Sequence, residues 1–125
     1  MSALAHANPL VFAGLFSQID GGHVLTVRLS PDVHGRPREA IILCDAANVP
    51  RAYLNLCRHL PVPLDAASRD FLCDGQLQCA THGARYRIED GSCVAGPCQG
   101  SALHALSLFV ENGELFVADP PPSWP

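Results

Sequence analysis

Cys57-Arg58-His59 and, after nineteen intervening residues, Cys79-Ala80-Thr81-His82 are the stretches on which the reading of this 125-residue chain turns. Each sets a thiol and an imidazole within two or three positions of each other. On a short loop, such a pair offers both groups to one site. Two loops of this kind meeting tip to tip would supply two thiolates and two imidazoles together.

Two metal centres fit that donor set. One is tetrahedral zinc; the other is a [2Fe–2S] cluster in which two histidines replace two cysteines on one iron. Zinc-finger spacings usually pair cysteine with cysteine and histidine with histidine. Here each loop carries one of each, as a cluster with one thiolate-bound and one imidazole-bound iron requires, because each loop must reach both irons. The alternation favours the cluster, and a zinc-stabilised interaction module is the alternative.

Outside these loops the periodicity is that of strands. His23–Leu29, Glu39–Leu43 and Ala52–Leu56 are short, apolar or β-branched, and bounded by Gly, Pro, Asp or Asn, and no apolar stripe of helical period persists for three turns. Leu10–Phe16 reads as a first strand, joined to His23–Leu29 as a hairpin through Asp20-Gly21-Gly22. Asn112-Gly113, between Leu106–Val110 and Leu115–Val117, predicts a type I′ hairpin, because both residues take positive φ readily. A further turn is expected at Glu89-Asp90-Gly91, an exposed connection at Ser30–Arg38, and an irregular stretch between Leu60 and Gln78 with a helical turn at Asp65–Arg69. The last seven residues hold four prolines and are expected to trail off the domain in an extended form.

Composition narrows the function. With 48% hydrophobic residues the chain can bury one domain's core without disulfides. Its net charge is −4 and all eight basic residues are arginines, which argues against a nucleic-acid partner: there is no basic stripe to displace counterions from phosphates. No apolar run approaches the ~18 residues of a membrane span, and no basic, then apolar leader opens the chain, so no membrane partner and a cytoplasmic location are expected. Six cysteines without an export signal point to metal ligation or burial rather than a disulfide framework.

The segments around the ligand pairs carry a resemblance. Cys79-Ala80-Thr81-His82-Gly83-Ala84-Arg85-Tyr86, followed by Asp90-Gly91, resembles the second cluster loop of the Rieske ferredoxin family. Asn55-Leu56-Cys57-Arg58-His59-Leu60-Pro61, with Leu64 after it, is similar to the first, and the likeness extends from about Phe12 to Ala118. It implies an all-β fold, a Rieske-type antiparallel sandwich at 10–118 with a small cluster-binding subdomain at about 56–87, between a flexible N-terminus (1–9) and a Pro-rich tail (119–125). It implies a [2Fe–2S] cofactor, with Cys57 and Cys79 on the inner iron and His59 and His82 on the outer. Gly83 would let backbone amides approach the cluster sulfurs, and Tyr86 would supply a hydrogen bond. The implied role is that of a soluble, oxygenase-associated electron carrier, not an enzyme, taking electrons from a flavin-dependent reductase to a terminal oxygenase. The alternative within the family is a small accessory subunit of a larger reductase such as nitrite reductase.

Departures from the family pattern bear on the potential. Val62 and Thr81 stand where the Rieske proteins of the cytochrome bc complexes have an extra cysteine in each loop, and Ala84 where they have a serine. Hydrogen bonds to sulfur favour the more negative, reduced cluster, so lack of the serine predicts a potential in the lower part of the Rieske range. Arg58 follows the first cysteine, and an insertion is expected within Asp65–Asp70. Cys44 and Cys73 read as small buried hydrophobes, Cys93 and Cys98 as two incidental thiols or else a reversible disulfide. His6, His23, His34 and His104 have no partner at ligand spacing. Arg58, Arg69, Arg85 and Arg87, among Asp65, Asp70 and Asp74, are either ordinary solvated charge or a docking rim.

Overall fold

The computed structural model describes residues 8–58, 63–64, 72–73 (for Cys73 the backbone), 75–79 and 83–125. The chain divides into two units: the described part of Met1–Leu54 with Leu106–Pro125, and the described part of Asn55–Ala105. Every sheet is antiparallel, and no α-helix occurs among the described residues. The all-β expectation holds.

In the first unit, β1 (Leu10–Leu15), β9 (Leu108–Glu111) and β10 (Glu114–Ala118) form one sheet in the order β1-β10-β9. A second sheet consists of β2 (Leu25–Leu29), β3 (Arg38–Cys44) and β4 (Pro50–Leu54), with β3 central. The run Ala40–Cys44 is buried without alternation, as a central strand covered on both faces requires, and Ile41 and Ile42 are wholly inaccessible. On β10, Leu115 and Val117 are likewise fully buried. Asn112 (φ 52°) and Gly113 (φ 76°) make the two-residue turn expected between β9 and β10, pairing Glu111 with Glu114.

The expected β1–β2 hairpin does not form. β1 pairs instead with β10, Phe12 opposite Phe116, and β2 pairs with β3. Residues 16–24 are too many for a tight turn: Phe16–Gln18 is a 3₁₀ turn, Ile19 is buried, and Gly21 and Gly22 take positive φ, so the chain passes from one sheet to the other.

The C-terminal tail is also different from expectation. Arg38 is buried, and its guanidinium donates to the carbonyls of Ser30 (2.7 Å), Pro120 (2.8 Å), Trp124 (2.9 Å) and Pro121 (3.0 Å) while facing Asp119 at 3.5 Å. Prolines have no N–H to pair, but their carbonyls accept, and the planar fork of an arginine can serve several at once. Asp119 in turn accepts hydrogen bonds from the Ser30 backbone and hydroxyl. The tail is therefore docked through residue 124. At the other terminus the Pro9 carbonyl accepts from the Asp119 N–H at 2.8 Å, while residues 1–7 lie outside the described ones.

The second unit carries a four-stranded meander: β5 (Leu72–Cys73), β6 (Gln76–Gln78), β7 (Arg85–Tyr86) and β8 (Cys93–Ala95). The turn expected at 89–91 links β7 to β8. Asp90 Oδ1 accepts from the Ser92 N–H (2.9 Å) and hydroxyl (2.7 Å), and the Gly91 N–H reaches the Arg87 carbonyl at 2.8 Å. The helical turn expected at Asp65–Arg69 lies outside the described residues.

Candidate metal centre

The first loop leaves β4 at Asn55, whose side-chain oxygen accepts from the Leu64 N–H at 2.8 Å. Both residues are buried, and this bond ties Asn55 to Leu64 across the first loop. Cys57 is 3% exposed, and its Sγ lies 3.6 Å from the Tyr86 hydroxyl. The backbone N–H of Arg58 donates to the same hydroxyl at 3.1 Å, and the Arg58 guanidinium crosses to the Ala102 carbonyl at 2.6 Å.

The second loop is the tip of the β6–β7 hairpin. Leu77 pairs with Tyr86 and Gln78 with Arg85, and the Cys79 N–H continues the ladder to the Ala84 carbonyl at 2.8 Å. The Gly83 N–H closes the turn onto the Cys79 carbonyl at 2.8 Å, with φ +71°. That left-handed backbone, rather than a free amide, is the visible demand for glycine at 83. Cys79 and Ala84 at the neck, and Tyr86 below them, are completely buried.

Tyr86 thus gathers the described part of the site. Its hydroxyl receives Arg58, faces Cys57, and takes a hydrogen bond from the Cys98 thiol at 3.1 Å. Burial, then the bond from Cys98, pushes its phenol well above the ordinary range, so it keeps its proton. Burial first and Cys98 next raise the Cys93 thiol to about 11. His104 is lowered by burial and then by the charge of Arg58. Cys57, Cys79, Cys93 and Cys98 are all buried.

His59 and His82 lie outside the described residues. Among the described ones no group of three or more His, Cys, Asp or Glu is placed to hold a metal ion. Three contributors were not assigned from sequence. Asn55 gave no signal beyond its place before the loop. Gly96 abuts the second loop: a Cβ there would lie 2.8 Å from Ala84 Cα. Cys98, read as incidental, bonds the central tyrosine.

The family model of the Rieske [2Fe–2S] domain matches residues 14–117. The chain belongs to the Rieske [2Fe–2S] domain family. Its cofactor is the Rieske-type [2Fe–2S] cluster, and the buried sulfurs of Cys57 and Cys79 suit iron ligation, that of Cys57 lying 3.6 Å from the Tyr86 hydroxyl. The ferredoxin of carbazole 1,9a-dioxygenase from Nocardioides aromaticivorans IC177 is 26% identical, with TM-score 0.62 over 89% of this chain and 98% of that one. A chain from the complex of reduced oxygenase and oxidised ferredoxin in carbazole 1,9a-dioxygenase is 20% identical, with TM-score 0.67 over 90% and 94%. The terminal oxygenase of carbazole 1,9a-dioxygenase from the same Nocardioides strain is 21% identical, with TM-score 0.70 over 90% of this chain but 30% of the oxygenase. The chain therefore spans about a third of that oxygenase's length and nearly all of the ferredoxin's. No curated protein matches it. No helix among the described residues is long and apolar enough to cross a membrane.

Proposed function

We propose that this Rieske protein is a one-electron carrier, with Cys57 and Cys79 as thiolate ligands and His59 and His82 as imidazole ligands in a cluster-binding segment at about 56–87. When bound, the cluster takes up and returns a single electron. The protein sets its burial and hydrogen bonding. The observation that carries this reading is the pair of buried cysteines, each opening a Cys-x-His or Cys-x-x-His stretch, with the Tyr86 hydroxyl 3.6 Å from one of them. Tyr86 keeps its proton, and a ligating thiolate has none, so the tyrosine donates and Cys57 accepts. Ala84 supplies no side-chain donor, which sets the potential in the lower part of the Rieske range.

The partners we propose are a flavin-dependent reductase and a terminal oxygenase, met transiently through small contacts in the cytoplasm. The likeness in fold and sequence over nearly all of an oxygenase's ferredoxin supports the carrier role. Arg58 and Arg85 lie on the segment that would dock.

The test is spectroscopic. Anaerobically prepared protein should be red-brown, hold two irons and two acid-labile sulfides, and give a Rieske electron-resonance signal once reduced. A colourless protein holding zinc would overturn the carrier reading. The signal should persist in Cys44→Ala and vanish in Cys57→Ala and Cys79→Ala.

A further inference from the structure

The hydrogens around Tyr86 can be accounted for one by one. A phenol has one hydrogen to give and two lone pairs to fill. The Arg58 N–H fills one lone pair at 3.1 Å, and a backbone N–H can only donate. Cys57, as an iron ligand, carries no hydrogen, so the hydroxyl hydrogen goes to its Sγ. The second lone pair remains, and the Cys98 thiol donates to it at 3.1 Å. Every donor and acceptor of a hydroxyl with no access to water is then used.

Cys98 is built into that place. Its carbonyl accepts from both the Ser101 N–H (3.0 Å) and the Ser101 hydroxyl (2.7 Å), which pins the backbone that carries the thiol. Two residues earlier, Gly96 rests against Ala84 where a side chain would collide, so this loop lies directly on the hairpin neck. The neighbouring Cys93 spends its own hydrogen on the Ala95 carbonyl at 3.3 Å and does not compete for the tyrosine.

We propose that Cys98 is a positioning residue for the cluster: its thiol holds the Tyr86 hydroxyl as a donor to Cys57 and thereby raises the midpoint potential. The inference rests on Cys57 being an iron ligand. A hydroxyl that accepts two hydrogen bonds is polarised and gives its own hydrogen more strongly, and a buried chain of such bonds is strengthened by the low dielectric around it. The stronger that last bond, the more the reduced, more negative state is favoured.

The test is redox titration of the loaded protein, with electron resonance to confirm the cluster. Cys98→Ala should lower the reduced-to-oxidised ratio at a fixed applied potential about threefold, the low end of one hydrogen bond's contribution, or about 28 mV at 59 mV per tenfold. Cys98→Ser keeps a donor and should recover most of the shift, whereas Cys98→Val fills the space without one and should not. In a Tyr86→Phe background, Cys98→Ala should cause no further change. An intact cluster with an unmoved potential in both Cys98→Ala and Cys98→Val overturns the proposal, as does an equal shift with and without the tyrosine hydroxyl. Should Cys98→Ala fail to assemble the cluster, Val against Ser decides in the same way. Wild-type protein without a Rieske signal would instead remove the ligand assignment itself, so the two failures are distinguishable.

Discussion

The two units of this protein are held by different means. In the first, strands of four to seven residues pair along their length, and the interior is Ile41, Ile42, Leu43, Leu115 and Val117. In the second, the named strands are two or three residues long, and the buried set includes Cys57, Cys79, Cys93, Cys98 and a tyrosine. Its loops are fastened by single side chains: Asn55 to Leu64, Tyr86 to Arg58, Arg58 to Ala102. Ladders and aliphatic burial are properties of the chain alone. Buried cysteines between such short strands suit a unit that a bound cluster would complete, because ligation energy would then be folding energy.

Removing iron tests that contrast most severely. Treating reduced protein with a ferrous chelator should abolish amide-exchange protection across Gln76–Gln78 and Arg85–Ala95, while Ala40–Cys44 and Leu115–Val117 stay protected. Equal retention in both regions would mean that the second unit needs no staple. The converse perturbation is Ile42→Ala, which empties a fully buried site between β2 and β4. It should cost about 3 kcal/mol by denaturant titration, within the usual range for such truncations, and leave the midpoint potential unchanged. A shifted potential would show that the units are not separable in this sense.

What could be read in advance follows from how local each feature is. Asn112-Gly113 announces its turn because both φ angles are decided within two residues. The thiol–imidazole pairs are legible because ligand spacing survives any uncertainty about the surrounding strands. By contrast, β1 finds β10 about a hundred residues away, and nothing near Leu10 encodes that choice over β2. The tail is illegible for a related reason: four prolines look like an unpaired terminus until the buried Arg38, some eighty residues upstream, is seen collecting the carbonyls of Pro120, Pro121 and Trp124. Cys98 was similarly silent, since its partner is defined by the fold of the β7–β8 segment and not by its distance from Cys93.

Gly96 gives a gentler probe of the second unit. A methyl there would meet Ala84 Cα at 2.8 Å, against backbone that cannot swing aside, and the residue sits at φ +94°. Gly96→Ala should cost roughly 1–3 kcal/mol, through overpacking and a disfavoured φ together. The loss should appear as faster bleaching of the visible spectrum on heating, with Ala40–Cys44 amides unaffected. Unchanged bleaching would mean that the 93–100 loop does not brace the hairpin that carries Cys79.

The smallest effect belongs to the first unit and separates the regions by pH. The Asp45 carboxylate, its side chain 3% exposed, accepts from the Val49 N–H (3.0 Å) and the Ala47 N–H (2.9 Å) and pairs with Arg51 at 3.0 Å. The bond from Val49 first, with the Arg51 and Ala47 contacts behind it, holds its pKa below the ordinary 3.8, against the opposing pull of burial. A carboxyl depressed in the folded state binds its proton more readily once unfolded, so its stabilisation is present above 3.8 and drains away as pH falls through the lower folded value. Asp45→Asn keeps an acceptor oxygen but cannot titrate. Its thermal-melt profile should therefore be flatter than that of the wild type below pH 4 and parallel to it near neutrality. Identical acid limbs would show that Arg51 and the β3–β4 turn draw no charge-dependent support from Asp45, leaving the first unit's stability to its apolar interior and its ladders.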